Sequence, residues 1–164
     1  MNPDLGYGSH APVLAAAVAR TTGPVLELGC GHWSTHMLRL MCRLTGRPLE
    51  SYDSDKDWAK TLNVPVVEKW SKWEPILDRF GVIFIDCAPG EDRYLLAMQL
   101  KERADFIVLH DAECDTRHGG GGNYQYDAIL PHFKYVEFFR ALRPVTLILS
   151  DKEPFGLTKE EQTA

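Results

Sequence analysis

The sequence predicts an α/β protein: a mostly parallel sheet of seven strands, with helices on both faces, ending in a reversed C-terminal hairpin. Three observations predict it. Short apolar runs alternate with helix-like stretches along the whole chain, the pattern of strands joined by right-handed crossovers. Several runs, such as Val82–Asp86 (VIFID) and Phe106–His110 (FIVLH), are continuously apolar, as suits strands covered on both sides. Only the four residues Ala141–Pro144 separate the last two runs, whereas a parallel crossover needs a dozen or more, so these two must pair antiparallel.

In order, the first helix spans Ser9–Thr21, with Ser9 as its N-cap. Strand Pro24–Leu28 follows, then helix Thr35–Thr45 and strand Pro48–Asp53. Helix Asp55–Leu62 opens on a capping aspartate, Asp55. Strand Val64–Glu68 and helix Glu74–Phe80 lead to strand Gly81–Asp86. Pro89 and Glu91 then start helix Glu91–Arg103, which returns to strand Asp105–Asp111. Helix Tyr124–Phe133 and the hairpin strands Tyr135–Arg140 and Val145–Ser150 complete the pattern.

The chain has 164 residues, 45% of them hydrophobic and 25% charged, with a formal net charge of -5. That size and balance fit a single domain over residues 1–164. No apolar run is long enough to cross a bilayer, and the first ten residues lack the basic and apolar segments of a secretory signal. Net acidity disfavours a nucleic-acid backbone as partner. A small-molecule partner, with no nucleic acid and no membrane, is therefore expected. Cys30, Cys42, Cys87 and Cys114 are scattered without metal-finger spacing, which suits buried thiols in a reducing, cytoplasmic setting.

Ligands of open α/β sheets bind beyond the carboxyl ends of the strands. There the first strand runs through Glu27 and Leu28 into Gly29-Cys30-Gly31 and a helix start near Ser34. The glycines allow a sharp turn and a close ligand, and the helix amides suit an anion. Ser34 stands where a dinucleotide fingerprint has its third glycine, which weakens a pyrophosphate-binding reading. The second strand ends at Asp53, placed to accept both hydroxyls of a ribose; the alternative is an exposed turn aspartate.

Together LELGCG, SYDSD, FIDCAPGEDR and FIVLHDAE resemble the class I S-adenosylmethionine-dependent methyltransferase family, in particular small bacterial and viral members. The resemblance runs from about Tyr7 to Asp151. It implies a Rossmann-like seven-stranded sheet with the last strand reversed, and S-adenosylmethionine as cofactor. It also implies cofactor contacts for Glu27, Gly29, Cys30, Gly31, Asp53, Ser54, Trp70 and Asp86, with Trp70 either stacked on the adenine or simply packed in the core. His32-Trp33 departs from the small residues usual in the first loop and could narrow the site.

Asp86, His110 and Asp111 end the fourth and fifth parallel strands of this scheme and form the expected catalytic group. His110 is the first choice for a general base on an acceptor hydroxyl, the alternative being a histidine satisfied by backbone contacts at the sheet edge. Some related O-methyltransferases hold a divalent metal between acids at these strand ends. A metal between Asp86 and Asp111 is thus a secondary expectation, not the favoured one, since Ala112 replaces a usual oxygen ligand. Arg93 is expected at the surface, or facing an anionic acceptor. The glycine-rich stretch 115–123 is expected to be a mobile loop, either a lid or idle. The expected activity is O-methylation of a small molecule. The alternatives are a non-catalytic S-adenosylmethionine-binding module and, further off, an NAD-dependent oxidoreductase. A domain this small leaves substrate selection to rim loops or to a second subunit of a homo-oligomer.

Overall fold

The computed structural model describes residues 8–112 and 124–163. Its strands are β1 (Val25–Leu28), β2 (Leu49–Tyr52), β3 (Phe80–Ile85), β4 (Ala104–Leu109), β5 (Tyr135–Phe139) and β6 (Thr146–Ser150). Its α-helices are α1 (Ala11–Arg20), α2 (His32–Thr45), α3 (Lys56–Leu62), α4 (Asp92–Leu100), α5 (Tyr126–Ile129) and α6 (Lys159–Thr163). The strands form one sheet in the order β2-β1-β3-β4-β6-β5. The first four are parallel, and β6 runs antiparallel to both β4 and β5. The short connection 140–145 enforces that reversal.

Alternation along the strands divides the core into two layers. Val25, Val82, Phe84, Phe106 and Val108 face one side and pack on Leu14, Ala17 and Val18 of α1 and Leu38 of α2. Leu26, Leu28, Ile83, Ile85 and Ile107 face the other and pack on Leu96 and Leu100 of α4 and Ile129 of α5. Both layers are almost wholly dry: Phe84 and Phe106 are 0% exposed, each burial being worth ~2–3 kcal/mol.

Six strands stand where seven were expected. Segment 64–68 is reduced to a single parallel bridge between Asp53 and Val66. Pro65 can accept from Asp53 but has no N–H with which to continue a ladder. The expected helix Glu74–Phe80 is also absent. Seven residues are few to nucleate a helix, and the amides of Ile76 and Leu77 are instead taken by the Glu50 carboxylate at 3.0 and 2.8 Å. Only Trp70–Lys72 forms a helical turn there, of the 3₁₀ type. At the far end α5 covers four residues before a 3₁₀ turn, Leu130–His132, because Pro131 lacks the N–H that an α-helix would use. Helix α6 was not foreseen. The tail before it is fastened by Glu137, whose carboxylate accepts from the amides of Phe155, Gly156 and Leu157.

The connection from β1 through α2 goes to β2 on one side, whereas the return to β3 lands on the other side of β1. This puts the topological switch point between β1 and β3, with their carboxyl ends at Leu28 and Ile85 side by side.

Candidate functional site

The switch point dictates the first feature of the site. Gly29 leaves β1 with φ +86°, and a Cβ there would lie 2.4 Å from the backbone of Asp86. No other residue fits both the dihedral and the space. The chain then passes through Cys30 to Gly31, the N-cap of α2. Two acids hold this bend. Asp53, at the end of β2, accepts from Cys30 N–H at 2.7 Å and from Asp55 N–H at 2.8 Å. Glu27 lies beneath the bend, 0% exposed, and accepts from Thr35 Oγ1 at 2.9 Å. Burial pushes its carboxyl above the ordinary 4.5, against the pull of the hydroxyls and thiol bonded to it. Glu27 is thus underneath the loop rather than in a cavity. The Cys30 thiol, which faces Glu27 and the Tyr52 carbonyl, is driven strongly upward in pKa by burial and remains a thiol.

Above the bend lies a cavity of about 580 Å³, lined by His10, Cys30, Gly31, His32, Trp33, Ser34, Trp58 and Asp86. A second depression, of about 470 Å³, is lined by Asp53, Asp55, Asp57, Trp58, Thr61, Asp86 and Ala88. Trp58 and Asp86 line both, so the two adjoin at these side chains and together make up the cleft at the carboxyl ends of β1, β2 and β3. Trp58 is anchored by its indole N–H on the Cys30 carbonyl, 2.6 Å away, and meets His32 edge to face. Sequence reasoning missed it. The signal was there: a tryptophan three residues past the Asp55 cap, on the helix that follows the Asp53 strand end.

The expectation for Trp70 needs correcting. It is 2% exposed and packed in the core, with its indole N–H on the Ala88 carbonyl at 2.9 Å. Its ring has no open face for a purine. Ser54 donates to the same carbonyl at 2.6 Å, so both residues position the β3–α4 loop.

A buried polar network closes the other end of the cleft. Arg93 is 6% exposed, contrary to the surface position expected for it. It bridges Asp86 at 2.8 Å and Asp111 at 3.2 Å and also donates to the Cys87 carbonyl. Neither carboxylate nor Tyr126 lets it lose its charge, despite burial. The guanidinium occupies the space in which a metal shared by Asp86 and Asp111 would sit, so that ligand pair does not fit a divalent ion. Asp111 itself sits at φ +57°, a left-handed conformation costing ~1–3 kcal/mol, held by Arg93 and by the adjacent Ala112–Val145 bond.

His110 is 3% exposed. Its Nδ1 lies 3.3 Å from Asp86 and 3.4 Å from Asp111, its Nε2 lies 3.0 Å from Ser9 Oγ, and Tyr126 donates to its carbonyl at 2.8 Å. Burial alone would depress its pKa, but the hydrogen bond and charge of Asp86 reverse this and hold it above 6.5. Burial would likewise raise Asp86, but His110 and Arg93 draw it below the ordinary carboxylate value. Both His110 ring nitrogens are therefore engaged, which does not suit it to be the freely available base. Ser9 does not cap α1, whose N-cap is His10; it donates instead to the Pro144 carbonyl at 2.7 Å. His10 stands over His110 with ring centroids 4.6 Å apart. It is 2% exposed, both its nitrogens are unpartnered, and burial together with His110 lowers its pKa to about 4. The expected glycine-rich loop, with Cys114 and His118, lies outside the described residues.

No family model and no curated protein matches the sequence. Solved structures do match its fold. The O-methyltransferase TomG from Streptomyces achromogenes, involved in tomaymycin synthesis and solved with S-adenosylmethionine, aligns at TM-score 0.59 and 16% identity, over 92% of this chain and 90% of that one. An O-methyltransferase from Bacillus cereus, solved with S-adenosylhomocysteine, aligns at TM-score 0.54 and 13% identity over 92% and 82%. The fibrillarin pre-rRNA processing protein of Methanococcus jannaschii aligns at TM-score 0.54 and 14% identity over 86% and 75%. The chain therefore shares the α/β fold of these proteins, the two O-methyltransferases among them, with a six-stranded, mostly parallel sheet. No described helix is long and apolar enough to cross a membrane.

Proposed function

We propose that this protein is an S-adenosylmethionine-dependent methyltransferase that methylates an oxygen of a small acceptor. One observation carries the reading: the Gly29–Gly31 bend and Asp53 are tied together by the 2.7 Å Cys30–Asp53 bond at the edge of one cleft, at the switch point of the sheet. The residues present suit that ligand. Each oxygen of Asp53 accepts one backbone N–H, which leaves lone pairs for ribose hydroxyls. The first turn of α2, His32–Ser34, lines the cavity and has amides without intrahelical backbone partners, suited to the amino-acid carboxylate. Trp58 offers an aromatic wall beside Asp53. The neighbours solved with S-adenosylmethionine and its demethylated product support the choice.

When bound, S-adenosylmethionine supplies an electrophilic methyl group on a sulfonium. The chain's own residues then have to align an acceptor oxygen in line and draw off its proton. His10 and Asp86 border the cavity where an acceptor would lie. His10 is held neutral at pH 7 with unpartnered nitrogens, whereas His110 orients Asp86 through its 3.3 Å contact.

Calorimetry with S-adenosylmethionine, S-adenosylhomocysteine and NAD tests the cofactor. Binding of the first two, and not the third, is expected; preference for NAD would overturn the reading. Formation of S-adenosylhomocysteine across a panel of hydroxylated acceptors tests turnover, and cofactor binding without turnover on any of them favours a binding module.

A further inference from the structure

We propose that His10, Asp86 and His110 form a binding site for one divalent transition-metal ion of the zinc class. One ligand atom from each residue lies within 4.8 Å of the others, and the separation of His110 Nδ1 from Asp86 Oδ2, 3.3 Å, is the edge expected between two ligands ~2.0–2.1 Å from a common ion. Two imidazoles and one carboxylate favour zinc, cobalt or iron over magnesium, which prefers oxygen ligands.

A second observation is independent of this spacing. His10 is 2% exposed, yet neither of its ring nitrogens has a partner. Buried polar groups are nearly always satisfied, and among the described residues the cluster that His10 abuts offers its nitrogens a ligand-binding use. A third is the tautomer of His110. The single proton of Ser9 Oγ goes to the Pro144 carbonyl, so at its 3.0 Å contact with His110 the hydroxyl accepts from Nε2–H. Nδ1 faces two carboxylates, Asp86 and Asp111, and an ion bound there would take the place of the proton it shares with Asp86. Serine holding the far N–H of a histidine is the arrangement that orients a metal-bound imidazole. Arg93 takes the other oxygen of Asp86 and leaves Oδ2 for the ion.

An ion here borders the cleft through His10 and Asp86, where it would bind and polarise an acceptor hydroxyl. That role rests on the methyl-transfer reading; the site itself does not, and its test uses no methyl donor. The purified chain, stripped with a chelator, is titrated with Zn2+ by calorimetry and with Co2+ by visible absorption. One ion per chain is expected, with a Co2+ spectrum of low coordination number. In His10→Gln, which removes no hydrogen bond, affinity should fall at least tenfold while the thermal unfolding of the metal-free protein is unchanged. In His36→Ala, which alters the exposed His32–His36 pair, affinity should be unchanged. A folded wild-type chain that takes up no metal, or a His10→Gln variant that binds as tightly as wild type, overturns the proposal. So does loss of binding in His36→Ala alone.

Discussion

Glu27 and Gly29 sit two positions apart, and the fold treats them oppositely. Gly29 is fixed by space: its φ of +86° and the 2.4 Å approach to Asp86 exclude a side chain. Gly29→Ala should lower stability by about 3 kcal/mol or more, read by urea unfolding, since positive-φ strain and a backbone clash combine. Glu27 is held by hydrogen bonds but penalised by burial, so its folded pKa is raised above the unfolded value. The stability linked to such a group is fully present below pH 4.5 and is lost as pH rises through the folded value. Relative to wild type, Glu27→Gln should therefore gain stability as pH is raised from 4.5 toward neutrality, in parallel denaturant titrations. Arg93 shows a third case. Removing it strips Asp86 and Asp111 of their guanidinium partner, and Arg93→Met should cost about 3–5 kcal/mol in the same assay.

At the scale of elements, two tryptophans of the β2–β3 connection have different work. Trp70 belongs to the core and holds the β3–α4 loop through the Ala88 carbonyl, whereas Trp58 borders the cleft on the first turn of α3. Trp58→Ala should weaken S-adenosylmethionine binding at least tenfold by calorimetry. Trp70→Phe should leave that affinity unchanged while lowering stability by about 1 kcal/mol, the worth of one hydrogen bond. A similar economy acts at segment 73–79, where Glu50 substitutes for a helix by taking two amides. Glu50→Gln should cost about 1–2 kcal/mol by weakening those charge-assisted bonds, seen as a lower unfolding temperature with cofactor affinity retained.

For the whole molecule, the parallel sheet and the reversed hairpin were readable because each depends on local facts: unbroken apolar strands such as Phe80–Ile85 and a linker too short to cross over. The seventh strand and the helix at 74–80 were not, because the first failed on one missing N–H at Pro65 and the second on the distant carboxylate of Glu50. The Gly29 bend and Asp53 were legible as a pair from their places at successive strand ends. The closed end of the cleft was not. Arg93 reads as a surface residue on an amphipathic helix, and nothing local reveals that it bridges acids from two strands. Nor does spacing bring His10, a hundred residues earlier, against His110. Such pairings arise only once the sheet has formed.

The sheet order carries a consequence for synthesis on the ribosome. Strand β6, the last to emerge, fills the slot between β4 and β5, and the Pro144 carbonyl just before it receives Ser9 from the opposite end of the chain. Until Ser150 has left the exit tunnel, the apolar edge of β4 stands open, an invitation to aggregation. The histidine pair likewise lacks its outer support until then, so a nascent chain acquires its cleft only after β6 has emerged.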